Sequence, residues 1–186
     1  MPPKTKISKD DIVNKAVELV KYNGEAAINA RAIAVALNCS TQPIFSNFSS
    51  MEELKIAVVE AAEIICRDYI KREIESKLYP VYKASGMAYI RFAKEEKELF
   101  KLLYMRDRAD EEIPTENELN NQMNGIVHNA TGLDDNNAKL FHLEMWAFVH
   151  GIATMFATNF LDLEWELVSR MLTDTYQGLR KQYGME

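Results

Sequence analysis

Ile33-Ala34-Val35-Ala36-Leu37-Asn38-Cys39-Ser40-Thr41-Gln42-Pro43-Ile44-Phe45-Ser46-Asn47-Phe48 is the stretch on which the reading of this chain turns. Two short amphipathic segments are joined by a turn at Asn38 to Ser40. Ile33 and Leu37 form the inward stripe of the first, and Ile44 and Phe48 anchor the second. Pro43 fixes where the second helix begins, because proline has no N–H and is tolerated only in a first helical turn. Gln42, the residue before it, is biased away from helical angles. The helix therefore starts among Ser40, Thr41 and Gln42, and their side chains stand at its positive end. That is the layout of a helix-turn-helix, whose second element lies in the DNA major groove.

Upstream, Ser8 with Asp11 gives the start of a capped helix, and Ile12, Ala16, Leu19 and Val20 recur on one of its faces. Asn23-Gly24 ends it, and Asn29 caps the helix that carries Ile33. Three helices this short share one small core only if their apolar stripes converge. Downstream, Ser50 and Glu53 form a second capping box, and Leu54, Val58, Ala61, Ile65 and Tyr69 continue without a breaker to Leu78, before Pro80. A helix of about 27 residues is about 40 Å long, enough to link two domains rigidly, so that movement at its far end reorients the reader. Further helices are expected at 81–94, 96–105, 115–130, 135–160 and 163–183, with loops at Arg106 to Thr115 and Thr131 to Asn136. No internal repeat or low-complexity segment interrupts them.

Composition agrees with this layout. In 186 residues, seven Gly and five Pro leave little material for the tight turns of a β fold. The expectation is an all-α chain: a small three-helix helix-turn-helix domain over residues 1–50 and a larger helical-bundle domain over 51–186 for ligand binding and dimerisation. The net charge of −6 excludes a protein that coats nucleic acid indiscriminately. Residues 1–50 hold six basic and four acidic side chains, and the remainder holds 16 and 24, so only the first quarter suits phosphate. Cys39 and Cys66, the only cysteines, read as small hydrophobes in helical patterns, which fits a reducing cytoplasm. Met1 to Lys9 has no apolar stretch of the secretory kind behind its lysines. The apolar run from Met145 to Ala157 is shorter than the roughly 20 residues that span a bilayer and reads as a core helix, so no membrane partner is expected.

For Thr41, Gln42, Ser46 and Asn47 the functional reading is contact with base edges and phosphate, Gln and Asn being suited to adenine. The alternative is an ordinary polar turn capping a helix. Phe48 packs the small core, whereas Phe45 fits against the sugar-phosphate backbone, and Arg31 fits a phosphate. Lys4, Lys6 and Lys9 suit either an arm along a groove edge or a plain basic tail. His128, His142 and His150 lack the spacing that brings two ligands to one helix face, so no metal is expected. No Ser-His-Asp order, glycine-rich phosphate loop or paired carboxylate offers a carrier for catalysis, and no cofactor is implied. Phe92, Phe100, Leu103, Tyr104, Met123, Val127, Trp146 and His150 are the nominees for a sensor pocket, apolar walls with a few polar tips. The bland alternative is that these are core. The 135–160 helix is apolar nearly all round, and 163–183 offers two faces. Met155, Phe156 and Phe160 with Val168, Leu172 and Tyr176 are accordingly assigned to a four-helix interface with a second copy about a two-fold axis.

Taken together, Ile33-Ala34, Leu37-Asn38-Cys39-Ser40, Gln42 through Phe48 and Glu52-Glu53-Leu54 resemble the DNA-binding domain of TetR-family transcriptional regulators over about residues 8–56. Trp146 through Gly151, in the order Trp, three residues, His, Gly, resembles the C-terminal subtype named for a Trp-His-Gly motif, and Phe92-Ala93-Lys94-Glu95 with Leu99-Phe100 is compatible with it. The resemblance implies a homodimeric repressor that binds a palindromic double-stranded DNA operator and is released by a small-molecule effector. Its DNA contacts would fall on Ser40, Thr41, Gln42, Pro43, Phe45, Ser46 and Asn47. Phe45 stands where the family often has Tyr, Asn47 where it often has His or an aromatic, and Met51 where it often has Lys, with Lys55 one turn along as compensation. Two rival functions are an all-helical enzyme that uses the large-domain cavity and an interaction protein that has lost DNA binding.

Overall fold

The computed structural model describes residues 7–106 and 118–185, with the side chains of 118–122 left aside, and every regular element among them is helical. In order these are α1 (Lys9–Asn23), a single 3-10 turn (Glu25–Ala27), α2 (Ala30–Ala36), α3 (Gln42–Asn47), α4 (Met51–Glu75), α5 (Val81–Glu95), α6 (Lys97–Tyr104), α7 (Glu118–Thr131), α8 (Asp135–Ala157) and α9 (Trp165–Gln182). The chain divides into two compact units, Met1–Arg67 with Glu96–Arg106, and Asp68–Glu95 with Asp107–Glu186.

The first unit is built from locally specified ends. The Ser8 hydroxyl accepts from the Asp11 N–H while the Asp11 carboxylate accepts from the Ser8 N–H, a complete capping box for α1. Gly24, at φ +72, closes α1, and a Cβ there would meet the Glu98 carboxylate at 3.0 Å. Asn29 caps α2 by accepting from Ala32 at 2.8 Å. The α4 start departs from the expected box: Ser50 accepts from the Glu53 N–H, but the Glu53 carboxylate turns to the N–H and hydroxyl of Ser49.

Ile12, Ala16 and Val20 of α1, Ile33 and Ala34 of α2, Ile44 of α3 and Phe48 beside it converge as the stripes require, and all are buried. Leu54, Val58 and Ala62 of α4 join them, as do Leu99, Phe100, Leu102 and Leu103 of α6, which packs on α1. Each large apolar side chain sealed in this way contributes roughly 1.5–3 kcal/mol before entropy is counted. Periodicity showed that α6 has an apolar face but not which unit it covers.

In the second unit α5 and α8 are the most extensively packed pair, flanked by α7 and α9. Gly86 of α5 lets both α9 and α8 approach: a Cβ there would lie 3.1 Å from Leu172 of α9 and 3.5 Å from Val149 of α8. α8 is long and apolar enough to cross a membrane by length and composition, yet eight of its side chains, Phe141, Val149 and Phe156 among them, are packed inside the unit. Two helix ends differ from the sequence expectation. α4 stops at Glu75 because Lys77 takes φ +57 and the Ser76 hydroxyl donates to the Glu73 carbonyl, five residues before Pro80 acts. α8 stops at Ala157 because Asn159 takes φ +56 and the Phe160 N–H turns back to the Met155 carbonyl, so Phe160 lies beyond the helix. Cys39 sits in the turn after α2 rather than in a helix, and Cys66 is buried, with burial pushing its thiol up to about 11.

The Ser49 backbone and hydroxyl, with Lys9, hold the Glu53 carboxyl down to about 2 from 4.5. Its contribution to stability is complete above pH 4.5 and is lost as the pH falls through about 2. An acid-unfolding titration followed by circular dichroism should show Glu53→Gln flattening this limb while leaving stability below pH 2 unchanged.

Candidate nucleic-acid interface and sensor unit

α3 has six residues, too few to persist without tertiary support. Ile44 and Phe48, four apart and buried, press one side of it into the first unit. The opposite side is left to solvent: Ser40, Gln42, Phe45 and Ser46 are exposed, Phe45 to 54%, and Thr41 and Pro43 partly so. Thr41 precedes the first turn and Pro43 occupies it, as the missing N–H of proline requires.

The polar side chains of this face differ in readiness. Ser46 donates its hydroxyl to the Gln42 carbonyl at 2.9 Å, and the Asn47 amide donates to the Pro43 carbonyl at 2.8 Å and the Ile7 carbonyl at 3.4 Å. Both thus serve their own helix. Gln42 is exposed, and no other described residue engages its amide. Arg31, exposed in the first turn of α2, is likewise unpaired among the described residues. Lys9 is paired with Glu53 at 2.9 Å and lies 4.7 Å over the Phe48 ring, and Lys55 is paired with Glu25 at 2.7 Å. Both pairs are solvent-exposed, so a phosphate replaces the carboxylate at small cost. Lys4 and Lys6 lie outside the described residues.

The sensor nominees fall in both units. Phe100, Leu103 and Tyr104 belong to α6 in the first, where Phe100 and Leu103 are core and Tyr104 lies against Phe100 with its hydroxyl 3.5 Å from the Cys66 sulfur. Phe92, Met123, Val127, Trp146 and His150 belong to the second. There Phe92 and Val127 are buried, Met123 is half-buried, and Trp146 is 41% exposed and stacked on the His150 ring at 4.9 Å. The Tyr89 hydroxyl lies 3.0 Å from His150 Nδ1, and one rung along, the Tyr82 hydroxyl lies 3.1 Å from His142 Nδ1. Sequence reasoning passed over both tyrosines. Their seven-residue spacing on α5, against eight between the histidines on α8, was the available signal. It passed over Glu73 too, a carboxylate in register with the apolar stripe Leu54, Val58, Ala62 and Cys66 of α4.

The residues assigned to a partner copy need correction. Phe156 of α8 and Val168 and Leu172 of α9 are sealed inside the second unit by its own helices, where α5 packs on both α8 and α9. Met155 and Tyr176 are partly exposed, the Tyr176 hydroxyl donating to the Ala130 carbonyl, and Phe160 is 75% exposed. Among the described residues, no group of three His, Cys, Asp or Glu side chains is placed to hold a metal ion.

Burial holds both imidazoles, His142 and His150, below the ordinary value of 6.5. The stability that rests on their neutral forms is complete above pH 6.5 and declines as the pH falls below it, when the unfolded chain takes up protons first. Proton NMR titration of the ring resonances should give midpoints below 6.5 for both, and a midpoint at or above 6.5 for either would contradict the burial described.

Residues 82–175, half of the chain, match the family described as "Tetracyclin repressor-like, C-terminal domain". Among solved structures, a TetR-like transcriptional regulator from Rhodococcus sp. RHA1 is similar with a TM-score of 0.68 at 13% identity, over 95% of this chain and 96% of that one. A member of the TetR family from Streptomyces coelicolor A3 is similar with a TM-score of 0.62 at 15% identity, over 90% and 96%. At such identities the likeness is one of fold. No curated protein matches the sequence significantly.

Proposed function

The chain belongs to the tetracyclin repressor-like family of transcription regulators, and from that premise we propose that it is a ligand-released repressor that binds a palindromic operator as a homodimer. The observation that carries the reading is the pinning of α3 by Ile44 and Phe48, which leaves Gln42 outward and unengaged by other described residues. Gln42 reads a base edge, Phe45 lies along the sugar-phosphate backbone, Arg31 and the lysines neutralise phosphate, and Ser40 and Thr41 donate at the helix start. A small molecule held by the second unit, with Trp146 and His150 as polar-tipped walls, releases DNA by favouring a different separation of the two readers. It shifts that balance only by its differential affinity for the two arrangements.

The copies pair through α8 and α9 by faces other than the one the sequence nominated. Leu140, Leu143 and Ala147, all exposed, and the half-buried Gly151 recur along one side of α8, and the exposed Leu167 and Gly178 with the half-buried Met171 along one side of α9. A Cβ at Gly151 or Gly178 would meet nothing within 4 Å. Glycine in a helix interior costs about 1 kcal/mol relative to alanine, and nothing inside the unit requires it here. Close approach of a second copy does.

In mobility-shift titrations against selected DNA, Gln42→Ala should weaken binding by about tenfold or more. Glu25→Gln should tighten it several-fold by releasing Lys55 to phosphate, and affinity should fall with rising salt. Unchanged binding in both variants would refute the assignment of this face.

Light scattering after size exclusion should show a dimer for the wild type. Gly151→Leu should yield a monomer that keeps the helical circular dichroism of the wild type, since a Cβ there meets nothing in its own unit, while its melting temperature falls by whatever dimerisation contributed.

A further inference from the structure

Glu73 is a charged side chain in an apolar register, 8% exposed, and its two carboxylate oxygens have different fates. Oε2 accepts from Arg91 Nε at 3.2 Å. Oε1 is buried and has no hydrogen-bond partner. An unpaired carboxylate oxygen removed from water is costly, more so for a charged group than for a neutral one, so its retention calls for a donor.

The residues around it restrict what that donor can be. The Arg91 guanidinium lies 4.5 Å over the Trp165 ring and 3.8 Å from the Glu95 carboxylate, so one cation already serves two carboxylates. Tyr69 donates its hydroxyl to Glu95 at 2.9 Å and meets Phe92 edge-on at 5.5 Å. Arg72, over the Tyr69 ring, sends its Nε to the Asp68 carbonyl and gives nothing to Glu73. Lys94, on the same helix as Arg91, is paired with Asp162. An acceptor or anion brought to Oε1 would be repelled, whereas a charged N–H forms a bond roughly twice as strong as a neutral donor does. Arg91, about a third exposed, links the buried carboxylate to the surface.

We propose that Glu73, held by Arg91 and grouped through Arg91 and Tyr69 with the rings of Trp165 and Phe92, is a recognition site for a small organic cation, an ammonium on an aryl or alkyl body. The ammonium donates to Oε1 while Arg91 keeps Oε2, and the body lies against the rings, where aromatic faces favour cations further. The use of the site to release DNA rests on the sensor reading above; the site itself does not.

The test is calorimetric titration of the full chain, without DNA, with 2-phenylethylammonium, 2-phenylethanol and 3-phenylpropionate at neutral pH. The ammonium should bind saturably and about tenfold or more tightly than the alcohol, and the carboxylate should not bind. Glu73→Gln should reduce the ammonium to the level of the alcohol, while the exposed Glu95→Gln should change its affinity by less than about threefold. No saturable binding of the ammonium, equal binding of the alcohol or carboxylate, or wild-type affinity in a folded Glu73→Gln variant would overturn the proposal. Should Glu73→Gln not fold, the three-compound comparison on the wild type decides alone. An ammonium that binds at Glu73 yet leaves a DNA complex intact would refute release and not the site.

Discussion

Two side chains on one turn, Ile44 and Phe48, hold the functional end of this molecule in place. A six-residue helix opened by a proline has too few hydrogen bonds to survive in water, so α3 exists because those two residues are buried within the first unit, where α3 packs on α1. Their burial also sets the helix's rotation. With Ile44 and Phe48 inward, Gln42 and Phe45 can only face outward, and the turn from Asn38 to Thr41 delivers the chain to Pro43 with its start exposed. Stability and recognition are two sides of one packing decision.

The charge on this reader is restrained rather than absent. Lys9 and Lys55 are held by Glu53 and Glu25, and Ser46 and Asn47 bond back to their own helix, so among these described groups Arg31 is the cation left unpaired. On the reading proposed above, a protein of net charge −6 organised in this way binds arbitrary duplex weakly, and its operator binding rests more on fit and base edges than on bulk electrostatics. Because both ion pairs are solvent-exposed, they yield to phosphate when geometry brings it near. On that reading the arrangement biases the protein toward specific sites by keeping the non-specific contribution low.

What the sequence made legible was whatever is decided locally. The Ser8–Asp11 box, the Asn29 cap, the glycine after α1 and the placement of Pro43 follow from neighbours within four residues, and the structure has each. Fold class and family followed from their spacing. Questions of which layer covers which face were not legible. Val168 and Leu172 are periodic and apolar, but periodicity does not say whether an apolar face meets its own unit or a second copy, and the structure buries them at home. The allegiance of α6 to the first unit, the pairing of Tyr82 and Tyr89 with His142 and His150, and the orphaned oxygen of Glu73 all depend on residues 18 to 75 positions apart, beyond any local pattern.

Hydroxyl-radical footprinting on DNA selected in vitro by the full-length protein tests the central claim most directly. Two copies of α3 set by a two-fold axis should give an inverted repeat protected at two major-groove half-sites separated by about one helical turn, roughly 34–36 Å, or a multiple of it. A single unpaired footprint, protection without an inverted repeat, or selection that enriches no sequence would contradict it.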